Sequence, residues 1–157
     1  LALIMILIYI AFRFDAYYAL GSVAALIHDI LITISVFSLL EYEINLSIIA
    51  AFLTIVGYSL NDTIVIFDRI RENLQKELKM TLNDITNFSL NQTLSRTIVT
   101  SLTTLIVVVI LYFLGGYVIK YFAFALIIGV LVGTYSSIFI ATPVMLYFKS
   151  KYIVEEK

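Results

Sequence analysis

Long apolar runs separated by short polar connections predict an all-α bundle of transmembrane helices. A spanning helix needs about 20 mostly apolar residues, and only helices or closed barrels can cross a bilayer. The runs do not alternate between apolar and polar residues as barrel strands do, so a barrel is excluded. Five antiparallel helices are therefore predicted, at about 1–12, 17–40, 47–78, 95–114 and 118–148.

The first apolar run contains only twelve residues before Arg13, which is too few to span a bilayer. No basic residues precede it and no small-residue cleavage site follows it, so it does not match a secretory signal peptide. We therefore expect that the chain begins inside a helix of a longer protein. Residues 1–157 are expected to form a single transmembrane domain.

The long connection between the third and fourth helices contains a second, weaker pattern. Its apolar residues fall near one helical face, with Thr81 as the expected N-cap and Asp84 as its capping-box partner. We expect a short amphipathic helix at about 81–91, separate from the helix that follows and lying on the inner membrane surface. An ordinary polar loop is the alternative.

The basic residues predict the orientation of the bundle. Nine of the ten lysines and arginines lie in the polar connections after the first, third and fifth apolar runs, of which the third ends at Phe67 and the fourth begins at Thr97. Lys120 is the exception. Basic residues concentrate on the cytoplasmic side of a membrane. We therefore expect 68–95 and 149–157 in the cytoplasm, and 41–46 and 115–120 outside the cytoplasmic membrane.

Composition supports the membrane interpretation, since 62% of residues are hydrophobic and 13% are charged, against about a quarter charged in soluble domains. The absence of cysteine excludes disulfides and thiolate metal sites. The single histidine, His28, has no second ligand at a metal-binding spacing, and no glycine-rich phosphate loop is present. We expect no metal, cofactor, catalytic residue or nucleic-acid partner.

Asn61, Asp62 and Thr63 form a polar triplet inside the third apolar run. Arg69 follows Asp62 by seven residues, which places the carboxyl group about 10 Å inside the hydrocarbon at 1.5 Å per residue. A charged carboxylate at that depth is costly unless it is paired or protonated. Asp62 is therefore a candidate proton carrier, flanked by side chains that can donate or accept hydrogen bonds. The alternative is that the triplet only bonds helices together.

Arg96 lies immediately before the fourth apolar run, at the base of a polar stripe that includes Thr100. The remaining members of the stripe follow helical spacing: Thr93, Thr97, Thr103 and Thr104. If Arg96 faces Asp62, such a pair could couple protonation to helix movement. Alternatively, the threonines bond their own helix and Arg96 extends to the inner surface.

Two further features are expected to be structural. Gly129, Gly133 and Ser137 form a small-residue ridge that lets another helix approach closely, and Pro143 is expected to kink the same helix. The role of adjacent His28 and Asp29 is left open, although an interior structural role is favoured over proton transfer.

The stretch "GYSLNDTIVIFDRIREN" (57–73) resembles the signature of the SecF family, the smaller membrane subunits of SecD–SecF protein-export complexes. "RFDAYYALGSVAALIHDI" (13–30) and "SRTIVTSLTTLIVVVILYFLGG" (95–116) are similar to the same family, in the same order. The resemblance covers nearly the whole chain. It implies an RND-superfamily bundle that corresponds to the last five of six helices and lacks the outer domain.

In the SecF family, the acid of the triplet and the arginine of the later helix are implicated in proton conduction, and these match Asp62 and Arg96. The resemblance implies a multi-pass protein of the bacterial cytoplasmic membrane that uses the proton gradient to assist polypeptide translocation. The implied partners are SecD, the SecYEG channel, the lipid bilayer and, through the outer domain, the translocating polypeptide. Sodium remains open as the coupling ion. The alternatives are an RND-type exporter of small molecules or lipids, and a scaffold that holds SecD.

Overall fold

Long apolar helices make up nearly all of the described chain, as the hydrophobic runs predict. The computed structural model describes residues 15–76 and 80–155, with side chains through 151. The helices are α1 (Ala16–Leu39), α2 (Leu46–Gln75), α3 (Leu82–Leu114), α4 (Gly116–Ser136) and α5 (Thr142–Glu155), and a π-helical turn, Ser137–Ala141, joins the last two.

The sequence predicts five helices, the first of them truncated, and the described residues contain four that are long and apolar enough to cross a membrane. The fourth runs continuously from Gly116 to Lys151 through the π-helical turn. The first predicted helix, at 1–12, lies outside the described residues. The all-helical class is confirmed.

Local chemistry accounts for where the helices begin and end. The side chain of Asn45 caps α2 by accepting a hydrogen bond from the backbone N–H of Ile48 at 3.2 Å. Thr81 caps α3 in the same way through the N–H of Asp84, so the predicted cap is confirmed. Gly116 has φ +77°, a conformation that glycine adopts without strain, and this permits the abrupt turn from α3 into α4.

The structure differs from the prediction of a separate surface helix at 81–91. One helix of 33 residues, α3, includes both that segment and the predicted helix at 95–114. No glycine or proline interrupts it, and the buried residues Ile85, Ser89 and Thr93 continue one face across the expected break. At 1.5 Å per residue α3 is about 50 Å long, which exceeds the ~30 Å hydrocarbon layer.

The π-helical turn ends at Ala141, two residues before Pro143, the residue predicted to disturb this helix. Proline has no N–H to donate to the preceding turn. The hydroxyl of Thr142, within the same stretch, donates to the carbonyl of Ser137, five residues earlier, at 3.0 Å. The disturbance takes the form of a π-helical turn, a rare element that often occurs at functional sites.

Two apolar clusters stabilise the bundle. One contains Tyr18, Phe67 and Met145, from α1, α2 and α5. The other lies at the opposite end of the bundle and contains Phe37, near the end of α1, and Ile48, near the start of α2. The middle turns of α2 also carry buried polar residues: Ser59, Asp62 and Thr63. This polar region is where the candidate site lies.

Candidate functional site

Asp62 lies in the middle of α2, where 3% of its surface is exposed. Its Oδ2 is the one buried side-chain polar atom without a hydrogen-bond partner among the described residues. A buried carboxyl oxygen without a partner is costly, and such exceptions call for a physical explanation. Binding of a proton at this carboxyl would remove the charge, so the position of Asp62 suits the proposed proton carrier.

The polar triplet divides over different faces of α2, because consecutive helical residues point about 100° apart. Thr63 is buried, and its Oγ1 shares a hydrogen bond with Ser137 Oγ at 2.9 Å. Asn61 is exposed and has no side-chain hydrogen bond within the described chain. The two flanking side chains therefore do not form a common hydrogen-bond shell around Asp62.

Ser101 of α3 lies beside the Asp62 carboxyl. It accepts a hydrogen bond from the hydroxyl of Tyr58 at 3.1 Å and shares another with Thr134 of α4 at 2.6 Å. Polar side chains from α2, α3 and α4 therefore meet at this level of the bundle. Sequence reasoning missed Ser101, Tyr58 and Thr134, because a lone hydroxyl in an apolar run gives no signal until its neighbours are known.

Arg96 is exposed and forms no ion pair with Asp62 in this structure, although its charge still acts on the carboxyl group. It precedes Ser101 by five residues, so it lies about 8 Å closer to the end of α3 that bears Thr81. There it lines a cavity of about 190 Å³ together with Glu72 and other polar residues. The predicted pair is thus separated along the helix axis rather than in contact.

The threonine stripe bonds mainly to its own helix. Thr100 donates to the carbonyl of Arg96, and Thr103 and Thr104 donate to carbonyls four residues earlier, each at 2.9 Å. These hydroxyls are therefore satisfied without Asp62, which supports the alternative that the stripe is structurally self-contained. Thr97 is buried in the same helix.

The small-residue ridge of α4 packs against α2 within this chain. A Cβ added at Gly129 would lie 2.2 Å from Cγ1 of Ile55, and one at Gly133 would lie 3.1 Å from Cβ of Ser59. A side chain at Gly129 would overlap Ile55 unless that residue moved, and the contact at Gly133 is tight. Ser137 extends the ridge with a hydrogen bond to the carbonyl of Ser59 at 3.3 Å. The ridge therefore presses directly on the helix that carries Asp62.

Asp29 of α1 is a second buried carboxyl group, with 1% of its surface exposed. The hydroxyl of Ser59 donates to its Oδ2 at 2.6 Å, and Nδ1 of His28 lies 3.2 Å from its Oδ1. The expected interior position is observed. The contact with Ser59 places α1 one turn of α2 away from Asp62, but the role of Asp29 stays a prediction.

Residues 1–151 match the family described as protein export membrane protein SecD/SecF, C-terminal. The protein translocase subunit SecF of Rhodothermus marinus is 54% identical over 156 residues, covering 96% of this chain and 51% of that protein. The SecF of Thermodesulfovibrio yellowstonii is 57% identical over 143 residues, covering 90% of this chain and 48% of its own length. The chain thus spans about half the length of these curated relatives.

Solved structures share the fold. The crystal structure of SecDF in a super-membrane-facing form is 47% identical and aligns with a TM-score of 0.90, over 97% of this chain and 21% of that one. The crystal structure of SecDF from Thermus thermophilus, a translocon-associated membrane protein, is 48% identical with a TM-score of 0.90, over 94% of this chain and 21% of that one.

Proposed function

Because the chain belongs to the SecD/SecF C-terminal family of protein-export membrane proteins, we propose that it forms the membrane part of a SecF subunit. In this proposal it uses the proton gradient to assist polypeptide translocation, together with SecD and the SecYEG channel. No covalent chemistry is involved. Relatives bearing the name protein translocase subunit SecF support this reading, and none of those reported above favours a small-molecule or lipid exporter.

The observation that carries the proposal is the unpartnered, buried carboxyl oxygen of Asp62. Asp62 carries the transported proton, and Arg96 supplies a positive charge on the cytoplasmic side. One elementary charge that crosses a potential of 100 mV releases about 2.3 kcal/mol. That energy is available to shift α2 relative to α3, since Asp62 and Arg96 lie on these two helices.

The exposed side of α3 supports an interaction with SecD. Within its most hydrophobic stretch only 11% of residues are buried, compared with 39% to 44% in the other three spanning helices. This side carries Arg96 and Thr103 as well as apolar residues. Polar side chains in a membrane normally face protein or water rather than lipid. Helices of SecD therefore cover this part of α3 in the proposed complex.

The proposed location is the bacterial cytoplasmic membrane, with 41–46 and 115–120 outside and 68–95 and 149–157 in the cytoplasm. The distribution of basic residues supports this orientation. Tyr42 and Tyr121 pack with ring centroids 4.8 Å apart at the proposed outer end of the bundle. Tyrosines concentrate at both membrane interfaces, so they mark the interface at this end of the bundle without bearing on its orientation.

The test compares Asp62→Asn with Asp84→Asn, the same change at an exposed position of α3, in the full-length protein with SecD. Asparagine keeps the size of the side chain but cannot bind and release a proton. We expect Asp62→Asn to fold normally and to abolish the part of secretion that depends on the proton gradient, whereas Asp84→Asn retains it. Ion flux is measured in parallel, with sodium replaced by potassium in one arm.

Two conservative variants, Asp62→Glu and Arg96→Lys, are expected to have intermediate activity. Asp62→Glu keeps the titrating group and is expected to be partly active. Arg96→Lys keeps the charge without the planar guanidinium, so its activity is expected to lie between those of wild type and Arg96→Ala. Normal secretion and normal ion flux by a folded Asp62→Asn protein would refute proton carriage and leave a scaffold that holds SecD.

A further inference from the structure

Asn73 is a buried amide at the cytoplasmic end of α2, with 1% of its surface exposed. Its side-chain nitrogen donates to Oγ of Ser89 at 2.8 Å and to Oε1 of Gln92 at 3.0 Å. Both acceptors belong to α3, so one side chain joins the helix of Asp62 to the helix of Arg96. An amide buried at this depth is costly to leave without such partners.

The position of this contact determines which residues of α2 and α3 lie at the same level. Asp62 precedes Asn73 by eleven residues, which is about 16 Å along the helix. The same distance along antiparallel α3, measured from midway between Ser89 and Gln92, ends at Ser101. This agrees with the observed position of Ser101 beside the Asp62 carboxyl. By the same measure Arg96 lies about 8 Å to the cytoplasmic side.

The rest of the buried face of α3 does little to select this register. Hydroxyl residues recur along it at intervals of about one turn: Thr86, Ser89, Thr93 and Thr97. Three of them donate to carbonyls of their own helix, namely Thr86, Ser89 and Thr93. A displacement of α3 by one turn would therefore present similar groups to α2. The contact of the Asn73 amide with Gln92 is different, because the residues one turn away from Gln92, Phe88 and Arg96, have no side-chain acceptor.

We propose that Asn73 is a positioning residue that sets the register between α2 and α3, and thereby the axial separation of Asp62 and Arg96. The proposed register does not depend on the function proposed above. Only its consequence, the geometry of the proton pathway, rests on that function. The register itself is a property of the bundle that can be measured without secretion. Each hydrogen bond contributes roughly a factor of five to an equilibrium. The observed register is therefore favoured by roughly 30-fold over the shift that places Ile85 and Phe88 opposite Asn73, and by roughly fivefold over the shift that places Thr93 and Arg96 there.

The test uses thiol cross-linking in the full-length protein with SecD, because this chain has no cysteine of its own. Tyr58→Cys is combined with Ser101→Cys, its partner at 3.1 Å, and in parallel with Thr97→Cys or Leu105→Cys, one turn to either side. Bifunctional thiol reagents with spacers of increasing length then report which pair lies closest.

Otherwise wild-type protein is expected to cross-link best at the 58–101 pair. Asn73→Leu is expected to increase cross-linking of the 58–97 pair relative to the 58–101 pair by up to roughly 30-fold, and of the 58–105 pair by roughly fivefold. Gln92→Leu removes one bond at an exposed residue, so its expected effect on either ratio is roughly fivefold. The exposed control Asn87→Leu is expected to change nothing. The double variant Asn73→Ser with Ser89→Asn exchanges the two side chains, so that an amide on α3 again bonds a hydroxyl on α2. It is expected to restore the wild-type ratio of cross-linked pairs.

A purely structural contact would alter thermal stability but not the preferred cross-linked pair. An unchanged ratio in Asn73→Leu, or in Gln92→Leu if the first variant does not fold, would overturn the proposal. The pH dependence of secretion is expected to change in each variant whose cross-linking ratio changes. It is expected to return to that of the wild type in the double variant Asn73→Ser with Ser89→Asn. Because register is measured by cross-linking, normal secretion by Asp62→Asn would overturn the proton pathway and leave the register result standing.

Discussion

Replacement of Gly21 by alanine should destabilise the bundle, because α1 crosses the π-helical turn with no room for a side chain. A Cβ at Gly21 would lie 2.5 Å from the carbonyl oxygen of Ala141 and 3.2 Å from both Met145 Cβ and Phe67 Cζ. The nearest atom belongs to the backbone, so a rotamer change cannot relieve the overlap. The helices would have to separate by several tenths of an ångström.

Gly57 offers the matched control, since a Cβ there would meet nothing within 4 Å. Alanine is favoured over glycine within a helix by about 1 kcal/mol, and this gain is common to Gly21→Ala and Gly57→Ala. Overpacking a tight interior typically costs about 1–3 kcal/mol. The difference in the free energy of unfolding between the two variants therefore estimates the overlap, and Gly21→Ala should be less stable by about 1–3 kcal/mol.

The assay is equilibrium unfolding of the purified full-length protein in detergent micelles, followed by helical circular dichroism and by an aromatic signal. Gly57→Ala should equal or exceed the wild type in stability. If Gly21→Ala proved as stable as Gly57→Ala, the close approach of α1 to the π-helical turn, and the packing argument built on it, would be refuted.

Two further predictions concern helix packing and orientation. Gly129→Ala should destabilise the bundle, and Ile55→Ala should reduce that cost, because the overlap is with Ile55 Cγ1 at 2.2 Å; additive effects in a double-mutant cycle would contradict this contact. Glu43→Cys should react with an impermeant thiol reagent from outside intact cells, and Asn87→Cys only after the membrane is opened. Labelling of Asn87→Cys from outside intact cells would contradict the proposed orientation.

Hydropathy alone predicted the helical class and most helix bounds, because the cost of placing backbone polar groups in lipid leaves few alternatives. Thr81 was also predictable as a cap, since capping depends on residues within one turn. The separate surface helix was not predicted correctly. The polarity of 81–91 suggested a break, but polar residues on a helix that packs against α2 do not end that helix.

The sequence by itself determined that Asp62 is a polar group deep within an apolar helix, which made it the leading candidate. Only the tertiary structure decided its neighbours: Ser101 beside its carboxyl, and Arg96 further along α3. It also decided that Asp29 bonds Ser59. Residue type and spacing describe one helix at a time. The rotation and register of two packed helices depend on contacts between residues far apart in the chain, such as those of Asn73, and no periodicity within a single segment encodes them.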